Sequence, residues 1–305
     1  MAFFVPFMFF YSQFFLILRK IKSNAMKFSK PLFFALNLLL LAGCSKDNVI
    51  VGPDNDDDEP KVVKVSVVDY APAPGQFINE LPLASESTTY PEILAACNSS
   101  LEKGSLVSLG SLGGSITLKT EEPVDGRFMV MGNAISTSAE PGIVSISADG
   151  VVFYELRGEY YSESEVVTIT YYRPEEGTVD SEHIRYTIQP SGKTGFIPKL
   201  VNHHNHTYYP YWIVDDKVTF TCRRLPDNGF IDTDGLYKLR PYGGYADSFP
   251  NTSKYAVLDP GNAVDSKGNK VNVGPFSYIR ITTGILQNNG ELGECSTEVS
   301  GVMVY

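Results

Sequence analysis

Three of the four histidines fall in one run, His203-His204-Asn205-His206. In an extended segment His204 and His206 point to one side and could hold a metal together. No third ligand stands at a matching spacing, and no His-Glu-x-x-His helix surrounds them. The plainer reading is a polar loop ahead of an aromatic strand. That strand carries Tyr208, Tyr209, Tyr211 and Trp212, and Tyr237, Tyr242 and Tyr245 follow. Aromatic faces stack on sugar rings or planar cofactors, and tyrosine adds a hydroxyl. The expected ligand-binding set is therefore Tyr208, Tyr209, Tyr211, Trp212 and Tyr245. Half-buried packing within a sheet is the competing reading. Pro210 removes a ladder donor and favours an edge or a loop. Trp212, the only tryptophan, reads as core, whereas Tyr209 and Tyr211 read as exposed.

A second set of side chains offers hard oxygen ligands. Asn133, Glu140, Asp247, Asp265 and Glu294 all stand beside glycine-rich turns. Such donors suit a structural calcium ion. They also suit ordinary turn chemistry. Asp232-Thr233-Asp234-Gly235 is too short for an EF-hand loop.

Covalent catalysis finds little support. There is no Gly-x-Ser-x-Gly elbow, and no phosphate loop or dinucleotide fingerprint. Cys97 reads as the inert core face of a helix, and Cys222 as part of a buried strand. Cys295 reads as exposed, but the acid beside it would raise its pKa. With Cys44 set aside, three cysteines permit at most one disulfide. The 35 acidic residues offer many carboxylate pairs for glycoside hydrolysis, yet none is singled out. A non-catalytic protein is expected, with a hydrolase as the competing class.

The elements that must position these residues are mostly strands. Short apolar–polar alternations recur at 62–68, 106–109, 115–118, 128–131, 143–147 and 151–156, with glycine and proline between them. They continue at 166–172, 184–188, 218–222, 236–239, 276–283 and 299–304. Asp149-Gly150 is a strong hairpin signal. One helix is expected over 90–103. Pro91 and Glu92 lie in its first turn, Ile93, Leu94, Cys97 and Leu101 share a face, and Gly104 stops it. About thirteen short strands at close spacing predict an all-β, jelly-roll-like β-sandwich, a single domain over 61–305.

The charge bears on partners. The chain carries 25 Lys and Arg against 35 Asp and Glu, a net charge of −10. All the acids follow residue 43, and five bases precede it. Without that leader the charge becomes −15, which speaks against nucleic acid as a partner. Within 26–43, Lys27 and Lys30 precede an apolar stretch too short to span a bilayer comfortably. It ends in Leu41-Ala42-Gly43-Cys44, which resembles the lipobox of bacterial lipoproteins. That resemblance implies a signal peptide cut before Cys44, and fatty acyl chains of the palmitate type that anchor Cys44 in lipid. Residues 1–25 form a second apolar run and read as an upstream extension of the gene, with Met26 as the start. Residues 44–60 form an acidic flexible tether. An acidic patch after the lipid cysteine resembles an export signal to the outer face of the outer membrane.

Several further segments match one pattern. They lie at 70–80 and 107–116, and at Gly132-Asn133-Ala134, Glu140-Pro141-Gly142-Ile143-Val144 and Phe153-Tyr154-Glu155-Leu156. Others are residues 169–174, Tyr208-Tyr209-Pro210-Tyr211-Trp212, Gly244-Tyr245-Ala246-Asp247 and Gly293-Glu294-Cys295-Ser296-Thr297-Glu298-Val299. Together they resemble a family of bacterial outer-membrane lipoproteins labelled "cell surface protein", some carrying a PKD-domain label. The resemblance spans roughly residues 68–305. It implies a lipid-anchored β protein facing the cell exterior, and some relatives sit beside TonB-dependent uptake systems. Relatives often carry an acidic insertion where this chain has only Ala148-Asp149-Gly150-Val151, a tryptophan where it has Phe153, and a Phe-Asp-Ile segment near 255–259. These departures speak against calcium at that hairpin. The expected function is non-catalytic capture of a glycan or glycoconjugate. The alternatives are capture of a corrinoid-type cofactor for a TonB-dependent transporter, and an adhesive or structural role without a small ligand.

Overall fold

Period-two alternation of apolar side chains builds the sheets. The computed structural model describes residues 59–175 and 183–305. The expected extension 1–25, signal peptide 26–43, Cys44 and all but the last two residues of the tether lie outside the described residues. In chain order the strands begin with β1 (Lys61–Val63), β2 (Val65–Ala71), β3 (Val107–Ser108), β4 (Ser115–Val124), β5 (Phe128–Met131) and β6 (Gly142–Ser147). Next come β7 (Tyr154–Leu156), β8 (Glu165–Tyr172), β9 (His183–Gln189), β10 (Lys193–Pro198), β11 (Lys217–Arg224) and β12 (Gly229–Ile231). The last are β13 (Tyr237–Leu239), β14 (Ala263–Val264), β15 (Phe276–Thr283), β16 (Glu298–Val299) and β17 (Gly301–Val304).

Six strands form the largest sheet, in the antiparallel order β14-β7-β6-β15-β4-β2. Ile281 lies opposite Ile116 on one side and Val144 on the other, and Ile279 lies between Leu118 and Ile146. All six are fully buried. Burying each contributes roughly 1.5–3 kcal/mol relative to exposure, so this row decides which face turns inward. The helix α1 (Tyr90–Glu102) lays Ile93, Cys97 and Leu101 in the same core. Its start is tied back by Glu92, whose carboxylate accepts both the Thr89 N–H and the Thr89 hydroxyl at 2.8 Å. The three-stranded sheet β1-β17-β5 adds Phe128, Val130 and Val302 to this core.

A second sheet, β10-β9-β8-β11, has its own core of Val167, Ile169, Tyr171, Ile184, Ile188 and Ile197. Its other face pairs hydroxyls across the strands, Thr168 with Thr221 at 3.0 Å and Thr170 with Thr219 at 2.9 Å. A third cluster gathers Ile143, Leu225, Leu239, Tyr242, Tyr245, Ile285 and Cys295.

The fold is all-β and sandwich-like, with one α-helix among the described residues. The expected helix and the β6–β7 hairpin are present. Asp149 holds the hairpin turn by accepting the Val151 and Val152 N–H groups at 2.8 and 2.9 Å, and this delays the second strand to Tyr154. The expected single strand at 62–68 divides at Lys64 into β1 and β2, which join different sheets. Strand β10 was not expected: it holds Gly195 and ends in Pro198, a composition that only an edge position tolerates.

Candidate functional site

The structure corrects the aromatic reading. Tyr208, Tyr209 and Tyr245 are fully buried and present no face to a ligand. The Tyr208 hydroxyl accepts the Leu200 N–H at 3.2 Å. Tyr209 donates to the Asp215 carbonyl at 2.8 Å, with the Arg173 guanidinium 4.2 Å above its ring. Burial pushes the Tyr209 hydroxyl up to about 12. Tyr211 and Trp212 are half-buried, and Trp212 packs on Tyr70 with 5.8 Å between ring centroids. The cause lies far away in the chain. Asn79, at φ +69°, donates to the Thr207 and Tyr209 carbonyls at 2.8 and 3.0 Å and accepts the Tyr211 N–H at 3.1 Å. This side chain straps 207–211 onto the body, where an edge had been expected.

The histidine run is a turn. The His203 and His204 N–H groups both bond to the Leu200 carbonyl. His204 is buried, with Nδ1 3.1 Å from Glu80 Oε2 and its ring edge-on to Phe77 and Tyr208. It is a structural residue and does not pair with His206 on one strand face. All three described cysteines are free. Cys295, expected to be exposed, is fully buried, and burial drives its thiol far above the usual range. Cys97 and Cys222 are pushed up to about 12 by burial.

Open aromatic surface is found elsewhere. A cleft of about 350 Å³ lies where β9 and β10, the end of β11, the β12–β13 hairpin and the loop at 286–294 converge. Phe196 and Tyr237 line it and are 47% and 40% exposed, and Tyr186 is half-buried beside them. Tyr237 is held by donating to Asn289 Oδ1 at 2.8 Å. It fits there because residue 229 is glycine, since a Cβ at that position would lie 1.9 Å from the Tyr237 hydroxyl. Arg224 reaches Asp227 at 3.4 Å and Glu165 at 3.7 Å, and its Nε is buried without a hydrogen-bond partner. Rings with free faces beside a planar guanidinium, a carboxylate and an amide (Asn288) can stack on and hydrogen-bond a polyhydroxylated ligand. A second cleft, of about 500 Å³, is lined by 61–64, 121–125 and 304–305, and Tyr305 is its only aromatic.

The oxygen ligands also sort themselves. Asn133, Glu140 and Asp247 meet, and Glu298 joins them. Asp247 Oδ1 accepts the Asn133 and Ala134 N–H groups at 2.9 Å, and Oδ2 accepts the Glu298 N–H at 2.9 Å. Glu140 accepts the Ser296 N–H at 2.9 Å. Glu140 is half-buried along its length, yet its carboxyl group is fully desolvated. Desolvation, then the Asp247 charge, drives Glu140 above the usual carboxylate range, and desolvation, then the charges of Glu140 and Asp247, drives Glu298 there. Asp247 rises through desolvation, opposed by its three N–H donors.

Two expected ligands lie elsewhere. Asp265 closes its own turn by accepting the Lys267 and Asn269 N–H groups, and its side-chain bond to Asn269 leads in lowering its pKa. Glu294 accepts the Gln76 N–H, and burial pushes it up to about 7. Glu298 was missed in the sequence. Its signal was an acid directly before Val299, at the start of an apolar strand that has to be buried.

No protein-family model matches the chain, and no curated protein matches its sequence. No helix among the described residues is long and apolar enough to cross a membrane.

Proposed function

We propose that this chain is a lipid-anchored cell-surface protein whose β-sandwich domain captures a glycan without transforming it, in the cleft between β10 and the β12–β13 hairpin. The observation that carries this reading is the pair of open rings, Phe196 and Tyr237, set beside Arg224 and Asp227. Sugar recognition needs flat apolar faces flanked by fixed polar groups, and this cleft combines them. The anchor rests on Cys44 and the residues before it. The non-catalytic part is supported by the three described thiols, all held protonated by burial.

The test is a binding panel of oligosaccharides and cobalamin on the detergent-solubilised full chain, compared with Phe196→Ala and Tyr237→Ala. The expected result is retention of one glycan class, weakened in each variant by about 1–3 kcal/mol, with little change in melting temperature. Retention of cobalamin alone would move the reading to cofactor capture. Glycan binding unaffected by both variants would remove the cleft from it.

A further inference from the structure

Asn133, Glu140, Asp247 and Glu298 come from three distant segments, and their oxygens converge. One oxygen from each of the three carboxylates lies within 4.8 Å of the others. Oxygens at that spacing can share a centre at 2.3–2.6 Å, the bond length of calcium. The Asn133 side-chain oxygen adds a fourth donor, 3.3 Å from Glu298 Oε2 and 3.2 Å from Asp247 Oδ1. Turned over, its amide would donate to both instead.

An independent observation points to a ligand. Glu298 is 1% exposed, and its Oε1 is buried without any hydrogen-bond partner. A buried, unmatched carboxylate oxygen beside two other carboxylates is costly unless a cation or a proton sits there. Backbone amides favour ionisation of Asp247, and the Ser296 N–H and the Glu298 carboxyl group favour that of Glu140, so no basic side chain is among them. The backbone is also shaped for close approach. A Cβ at Gly132 would lie 2.3 Å from Asp247 Oδ1, so only glycine admits this chain path. Asn133 is exposed and Glu140 half-buried, which leaves a route in from the surface.

We infer that these four residues bind one hard divalent cation, calcium by size and donor type, that clamps the segments at 131–140, 244–251 and 294–300 together. The donors are all oxygen, which excludes the soft-metal class. Oxygens up to 4.8 Å apart suit the longer bonds of calcium better than the short octahedral bonds of magnesium. Water would complete the shell.

The test uses the detergent-solubilised full chain, stripped with EDTA and dialysed. Titration with calcium chloride is expected to show one ion per chain. At a hundredfold excess over Kd the melting temperature should rise by roughly 5–10 °C. Magnesium should give a much smaller shift. Glu298→Gln and Glu140→Gln should each abolish the calcium response while melting, in EDTA, no lower than the stripped wild type. That pattern separates a cation ligand from a packing residue. Equal melting of the wild type in calcium and in EDTA, with no heat of binding, would overturn the inference and leave protons as the neutralising species. An equal response to magnesium, or full calcium binding by Glu298→Gln, would overturn it too. If a variant does not fold, the wild-type titration decides alone.

Discussion

Asp247 Oδ2 accepts the backbone N–H of Glu298 at 2.9 Å, across 51 residues of chain. The same carboxylate accepts the Asn133 and Ala134 N–H groups, so one side chain fixes the ends of two other segments. Asp247 sits at φ +48°, where it tolerates the left-handed region. Three of the backbone anchors of the carboxylate centre therefore belong to a residue that is itself buried.

That arrangement makes Asp247→Asn informative. Asparagine keeps the shape and tolerates the same φ, but it turns an N–H₂ toward backbone N–H donors. The substitution removes a buried charge and still should destabilise the protein, by about 2–3 kcal/mol. Denaturant unfolding in EDTA checks it. Unchanged or increased stability would mean that the charge, not the hydrogen-bond geometry, dominates at this residue.

Glu294 provides a pH dependence. Its carboxyl group is buried against Gln76 and pushed up to about 7 by desolvation, from an ordinary value of 4.5. Below pH 4.5 both folded and unfolded states bind the proton, and Glu294 contributes no pH dependence. Between 4.5 and 7 the unfolded state gives up its proton first, so stability falls as pH rises. Above 7 the loss is complete, at about 3 kcal/mol for a shift of this size. Glu294→Gln should flatten that part of the stability–pH curve. Urea midpoints at pH 5 and pH 8 measure it, and a curve with the same slope in the variant would refute the assignment.

Trp212 distinguishes the proposed cleft from the 208–212 segment. It is half-buried against Tyr70 and packs with the main core, whereas the cleft borders the four-stranded sheet and the β12–β13 hairpin. Its emission should already be blue-shifted in the free protein. Trp212→Ala should cost about 2–3 kcal/mol of stability, below the range for a fully buried tryptophan. A glycan bound in the cleft should leave the emission unchanged. A ligand-induced shift would return the site to 208–212.

The proposed anchor has its own test. Cys44→Ala should abolish incorporation of labelled fatty acid and leave the protein unprocessed or released from the membrane. Label persisting in the variant would refute lipidation at Cys44.

Much of the fold was legible because its causes are local. Ile116, Leu118, Ile279 and Ile281 alternate with polar neighbours, and period two is a property of a strand whatever it packs against. Helix α1 was legible in its apolar spacing, Pro91, Glu92 and Gly104, all within one segment. The four-residue carboxylate centre was half legible. Asn133, Glu140 and Asp247 each stand beside a turn, but nothing near them names Glu298 as their partner. Asp265 and Glu294 look the same locally, and only the packing shows that one closes its own turn and the other holds Gln76. The tyrosines went astray for the same reason. Pro210 correctly excludes a central strand, but Asn79, 130 residues before Tyr209, decides that the segment is strapped inward. Sequence alone determined which residues alternate, turn and cap, because backbone sterics act over a few residues. Which carboxylates meet and which rings keep a face in solvent was decided only in the tertiary structure, because burial and charge proximity depend on contacts between segments remote in the chain.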